Sequence, residues 1–91
     1  MEIRVFATLR DVVGRASITI DDVPGMTVDH VLQAVSVAHP ALRAKLLDEK
    51  GALQTAIHIL VNGRDVRFLN GLETVVTPQD SVRIFPPVGG G

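Results

Sequence analysis

Apolar residues alternate with polar ones along Glu2–Thr8, with Ile3, Val5 and Ala7 on one side. That is the period of a half-buried strand. Leu9–Gly14 reads as a turn region, and Arg15–Asp21 as a second arm with Ile18 and Ile20 on one face, so the chain opens with a hairpin. Asp22-Val23-Pro24-Gly25 breaks it. The period then changes. Val28, Val31, Leu32 and Val35 follow at i, i+3, i+4 and i+7, the stripe of an amphipathic helix, with Thr27 as its N-cap and Asp29 in its first turn. His39-Pro40 marks its end, because a residue before proline disfavours the helical region. Ala41–Leu47 is read as a short second helix and Asp48–Leu53 as a loop. Alternation returns in Ile57–Asn62, with Ile57, Ile59 and Val61 inward. Asn62-Gly63 is a tight-turn signal leading into a strand over Arg64–Phe68, and Asn70-Gly71 is a further turn. Thr77-Pro78-Gln79-Asp80 turns into a last strand, Ser81–Phe85, with Val82 and Ile84 inward. Strand, strand, helix, strand, short strand, strand is the order of an α+β roll, a mixed sheet covered on one face by one main helix.

The 91 residues divide into one body, 1–85, and an extended tail, 86–91. A chain of this length has one core and no room for a deep cleft. Its net charge of −1, from 9 basic and 10 acidic residues well mixed, encodes no global attraction to nucleic acid or to an anionic membrane. With no Trp, no Tyr and 3 Phe, there are few platforms for stacking bases. The absence of cysteine excludes a disulfide framework, a thiolate metal site, a Cys nucleophile and a persulfide in this chain. No membrane-length apolar run and no signal-peptide pattern are seen, so the cytoplasm is the expected compartment.

The tail changes the picture most. Phe85-Pro86-Pro87-Val88 is followed by Gly89-Gly90-Gly91. The prolines remove two backbone donors and end strand pairing, while residues 86–91 can span roughly 18–20 Å at about 3.1–3.3 Å per residue. Glycine leaves the Gly91 carboxylate unshielded and lets the tail enter a narrow channel of another protein. The tail residues Pro86, Pro87, Val88 and Gly89 are therefore candidate partner-binding positions, and Gly90 and Gly91 the candidate reactive ones.

Three segments carry a family resemblance. Val5-Phe6-Ala7-Thr8-Leu9-Arg10, His39-Pro40-Ala41-Leu42, and Asp80 through Val88 followed by Gly90-Gly91 resemble the opening strand, the helix end, and the last strand and tail of the MoaD/ThiS group of ubiquitin-like sulfur carriers. Gly89 stands where that group usually has Ala or Ser, and Gln79-Asp80 replaces its Gly-Asp. Asn62 through Phe68 with Gly71-Leu72 is also similar to CysO-like carriers. The resemblance implies a β-grasp fold of four to five strands on one main helix, and a carrier rather than an enzyme. A ubiquitin-activating-type (MoeB/ThiF-like) partner would supply ATP, magnesium and catalysis, turning the Gly91 carboxylate into an acyl-adenylate and then a thiocarboxylate. The expected recipient is molybdopterin, through the large subunit of molybdopterin synthase. The alternatives are cysteine synthesis through a cysteine synthase, attachment through Gly91 to lysines as in archaeal SAMP-type modifiers, and a plain interaction module with an inert tail.

Strand alternation also suggests where such a partner would dock. If Ile3/Val5, Ile57/Ile59 and Val82/Ile84 face the helix, the other face of the sheet shows Phe6, Leu60 and Phe85, with Arg4, His58 and Arg83 among them. Such an apolar patch with basic edges marks an interaction site. Other signals are discounted. His30, His39 and His58 lack metal-ligand spacing, Asp21-Asp22 and Asp48-Glu49 read as solvated turn charges, and the scattered glycines form no phosphate-binding loop. Lys45 and Lys50 are ordinary surface lysines.

Overall fold

In a computed structural model, which describes residues 1–87, the alternating segments assemble as one mixed sheet. Its strands are β1 (Glu2–Val5), β2 (Ser17–Thr19), β3 (His58–Val61), β4 (Arg64–Asp65) and β5 (Val82–Phe85), in the spatial order β2-β1-β5-β3-β4. β5 runs parallel to β1 and antiparallel to β3. The three helices are α1 (Ala7–Val13), α2 (Val28–Ala38) and α3 (Pro40–Leu46). The inward residues of the three central strands, Ile3, Val5, Ile59, Val61, Val82 and Ile84, are all buried, and so is the α2 stripe of Val28, Val31, Leu32 and Val35. Burying two such faces against each other is the main favourable term of this fold. The expected α+β, ubiquitin-like β-grasp architecture is the one observed.

The main helix begins and ends as its residues dictate. The Thr27 side chain accepts a 3.3 Å hydrogen bond from the His30 N–H, satisfying one of the free donors of the first turn. His39 leaves helical geometry at φ −135 and ψ 84, and Pro40 starts α3 at a first-turn position, where its missing N–H costs nothing. Leu42 and Leu46, one turn apart, bury the inner side of α3.

Several boundaries differ from the sequence expectation, each for a local reason. Leu9–Gly14 is not a simple turn: Ala7–Val13 is helical and ends at Gly14, whose φ of 83 is the left-handed cap that glycine favours. Ala7 itself has φ 51 and is exposed, so the strand alternation stops at Val5 and Ala7 does not join the core face. The second arm is regular strand only over Ser17–Thr19, flanked by backbone hydrogen bonds at Ala16 and Ile20. Past the Asn62-Gly63 turn, the expected strand to Phe68 is cut short. The Asp65 carboxylate accepts a 2.9 Å hydrogen bond from the Arg67 N–H and starts a 3-10 turn over Val66–Phe68.

That turn is itself as the Asn-Gly pair predicts. Asn62 and Gly63 both have positive φ, 53 and 84, the type I′ geometry that suits a two-residue hairpin. The Asn62 side chain also reaches the turn before β5. Its Nδ2 donates to Asp80 Oδ1 at 2.9 Å, and its Oδ1 accepts from the Ser81 N–H at 2.9 Å. Asp80 Oδ2 accepts from the Thr77 N–H at 2.8 Å. Two turns are thereby clamped together where the central strand β5 enters the sheet. The strand leaves at Phe85; Pro86 is buried and Pro87 exposed.

Candidate functional site

β5 carries the chain from the sheet towards the tail, so the surface around its exit sets what the tail can be presented to. With Val82 and Ile84 committed to the core, Arg83 and Phe85 must point to the opposite face. The register places Arg4 beside Arg83 on one side and Leu60 beside Arg83 on the other, and sets His58 across from Phe85. Phe6, just past the end of β1, stacks on Phe85 with ring centroids 4.4 Å apart and planes 9° apart. Both rings and Leu60 are half-buried, whereas Arg4, His58 and Arg83 are exposed. The structure thus brings Phe6 and Phe85 together and puts Leu60 one row away, behind the two arginines. Each ring shields one face of the other, and both stay partly exposed.

Among the expected tail positions, Pro87 is exposed, but Pro86 is buried, so its ring adds nothing to an exposed surface. Val88, Gly89, Gly90 and Gly91 lie outside the described residues.

Two further groups extend the face. Phe68 is 87% exposed, and with Leu60, Gly63, Arg64 and Asp65 it lines a shallow groove beside β3. The sequence reading missed Phe68 by assigning it to a strand. A bulky aromatic three residues past a capping Asp was the available signal. The second group is polar. His58 Nδ1 lies 2.8 Å from Asp65 Oδ2, and since a carboxylate only accepts, Nδ1 carries the proton. Arg67 donates to the Thr55 and Gln54 carbonyls at 3.0 and 3.3 Å and stands 3.7 Å from the same Asp65 oxygen. Its 3.5 Å approach to His58 Nδ1 sets two donors side by side and is no hydrogen bond. Partial burial raises the Asp65 pKa, but the hydrogen bonds from His58 and the Arg67 N–H, with the charges of Arg67 and His58, outweigh it. The carboxyl sits below its ordinary value. His58 is held in one orientation on the rim of the aromatic pair. No group of three His, Cys, Asp or Glu side chains among the described residues is placed to hold a metal ion.

A mixed five-stranded sheet on one main helix, whose central last strand leads into a glycine-ended sequence, is the ubiquitin-like β-grasp arrangement of small carriers and modifiers. The chain belongs to the ThiS family, whose model matches residues 3–91. It is 39% identical to small archaeal modifier protein 3 of Haloferax volcanii over 93 residues, covering 100% of this chain and 98% of that one. Sulfur carrier protein CysO of Mycobacterium tuberculosis is 36% identical over 69 residues, 74% of each chain. The crystal structure of SAMP1 from Haloferax volcanii superposes with a TM-score of 0.88 at 33% identity, covering 99% of this chain and 97% of that one. These relatives are small carriers and modifiers rather than catalysts. No helix among the described residues is long and apolar enough to cross a membrane.

Proposed function

We propose that this chain is a sulfur carrier whose Gly91 carboxylate is activated by a partner enzyme, and that the outer sheet face is where the partner grips it. The observation that carries the reading is the Phe6–Phe85 stack on the strand that leads into the Gly89-Gly90-Gly91 tail. A carboxylate is a poor electrophile, so the first step is attack of a Gly91 oxygen on the α-phosphorus of ATP, giving the acyl-adenylate and pyrophosphate. ATP and magnesium belong to the activating enzyme, of the MoeB/ThiF-like kind. Sulfide sulfur then attacks the acyl carbon and AMP leaves, giving a thiocarboxylate. Its sulfur is passed to an acceptor, for which molybdopterin, on a synthase large subunit, is the reading we favour. The same thiocarboxylate could feed a cysteine synthase, a route that similarity to CysO supports.

A second reading has its own support. Full-length similarity to a small archaeal modifier protein favours attack on the adenylate by a lysine amine, with AMP leaving and an isopeptide bond forming at Gly91.

Intact mass after incubation with cell extract, ATP and a sulfide source tests both. With no cysteine in the chain, thiol adducts cannot mimic the product. A gain matching one oxygen replaced by sulfur, lost when Gly90-Gly91 is deleted, supports the carrier. Conjugates on cell proteins that vanish with the same deletion support the modifier. An unchanged mass and no conjugates, in an extract that thiolates a known carrier, overturn both.

A further inference from the structure

Among the described residues, the sheet ends in an open edge two strands from β5. β2 is paired on one side only, to β1. The Met1 ammonium donates to the Ile20 carbonyl at 2.8 Å and the Ile20 N–H to Met1 O at 2.9 Å, and the Val5 N–H donates to Ala16 O at 2.9 Å. Ala16 and Ile20 therefore turn their backbone groups towards β1. By antiparallel alternation, Ser17, Thr19 and Asp21 turn theirs outward.

Next to that edge lies a groove between β2 and α2. Its floor and upper wall are apolar: Ile20, Val23, Ala34, Val37 and Ala38. Val37 is 82% exposed, a β-branched residue on a helix face with nothing over it. Of the ionisable groups, Asp21, Asp29 and His30 line the groove, and no Lys or Arg does. Asp21 follows β2 by two residues and Asp29 stands in the first turn of α2, at the two ends of the short connection between these elements. Val37 lies eight residues further along α2, about 12 Å along the helix axis.

An unpaired row of backbone donors and acceptors, an apolar channel beside it and carboxylates at one end are together the negative image of one ligand. We infer that the β2–α2 groove binds an extended segment of a partner protein by β-strand addition, and that this segment carries aliphatic side chains preceded by basic ones. Backbone pairing with Ser17, Thr19 and Asp21 gives the segment its register, and alternate side chains enter the groove. Antiparallel addition puts the segment's N-terminal end beside Asp21 and Asp29, which is why the basic residues come first. None of Phe6, Phe85, Pro86 and Pro87 lines the groove, so a carrier gripped on its outer sheet face by its activating enzyme keeps this site free for a second protein.

The test uses the full chain and the peptide acetyl-Lys-Arg-Val-Thr-Val-Thr-Ile-Ser-amide, followed by backbone amide NMR. The expected result is saturable shifts at Ser17–Asp21 and along His30–Ala38, with slowed exchange of the Thr19 amide. The Val37→Lys variant, changed at an exposed position, and the Asp21→Lys/Asp29→Lys variant should each weaken binding at least tenfold while keeping the native amide spectrum. A peptide with Glu-Asp in place of Lys-Arg should not bind. Equal binding of the acidic peptide, unchanged affinity in both variants, shifts confined to the outer sheet face, or a β2-mediated dimer that excludes the peptide would each overturn the inference. Thiocarboxylate formation measured on Val37→Lys keeps this test separate from the carrier reading, since Val37 has no part in activation.

Discussion

Phe6, one residue past β1, and Phe85, the last residue of β5, stand at the ends of two neighbouring parallel strands, and their rings stack 4.4 Å apart. The stack ties the exit of the first strand to the exit of the last. Offset or stacked aromatic pairs contribute about 0.5–1.5 kcal/mol beyond the area they bury. A double-mutant cycle of Phe6→Ala and Phe85→Ala, read by chemical denaturation, should give a coupling energy in that range. Each single variant should also slow thiocarboxylate formation by tenfold or more, because the aromatic anchor at the tail root is lost. Normal activation of both variants would remove the outer face from the docking surface.

Phe68 separates docking from stability. Its ring is 87% exposed, so Phe68→Ser should change unfolding free energy by no more than about 0.5 kcal/mol. If the docking face reaches the groove beside β3, the same substitution weakens capture by the activating enzyme, measured as a raised KM for the carrier.

Asp80 makes the fold acid-sensitive. The hydrogen bond from Asn62, then that from the Thr77 N–H, hold its carboxyl below the ordinary value, with slight burial opposing. A depressed folded pKa adds stability that is fully present above the unfolded value of about 3.9 and is lost as pH falls through the lower folded value. Asp65 contributes in the same direction. Thermal midpoints should stay level from neutral pH down to about 5 and then fall, and Asp80→Asn should flatten part of that fall. An equally steep acid limb in Asp80→Asn would show that the turn clamp carries no such linkage.

Two local changes probe how the sheet and helix are started. Thr27→Ala removes the side-chain acceptor at the start of α2 and should cost about 1 kcal/mol by denaturant titration. Gly63→Ala forces a Cβ into a φ of 84 and should cost about 1–2 kcal/mol, although space around it is open. The loss there would be backbone strain and not a clash.

Much of this architecture was legible where one physical rule decides. The 3.6-residue stripe Val28, Val31, Leu32, Val35 and the alternations Ile57, Ile59, Val61 and Val82, Ile84 describe the buried faces, and all nine positions are buried. The Asn62-Gly63 turn needed only the positive φ that both residues tolerate. The helix Ala7–Val13 was not legible in the same way. Phe6 offers it no side-chain cap, its first turn holds no acidic residue, and Thr8, Val12 and Val13 are β-branched. Leu9, Val12 and Val13 at i, i+3 and i+4 ahead of Gly14 were the signals that could have found it. At the candidate site, alternation alone put Arg4, His58, Leu60, Arg83 and Phe85 on one face. The stack with Phe6, the burial of Pro86 and the salt-bridged orientation of His58 depend on how chain segments far apart in sequence meet, which no local pattern encodes.

The placement of β5 has a consequence for how the molecule is made. The strand that leads into the tail is not added at an edge; it is inserted between β1 and β3, in the middle of the sheet. During synthesis, everything before Val82 can therefore form only two unjoined half-sheets, and closure waits for long-range pairing that is slow to find. A ribosome that stops before Val82 releases a chain whose two half-sheets are not joined.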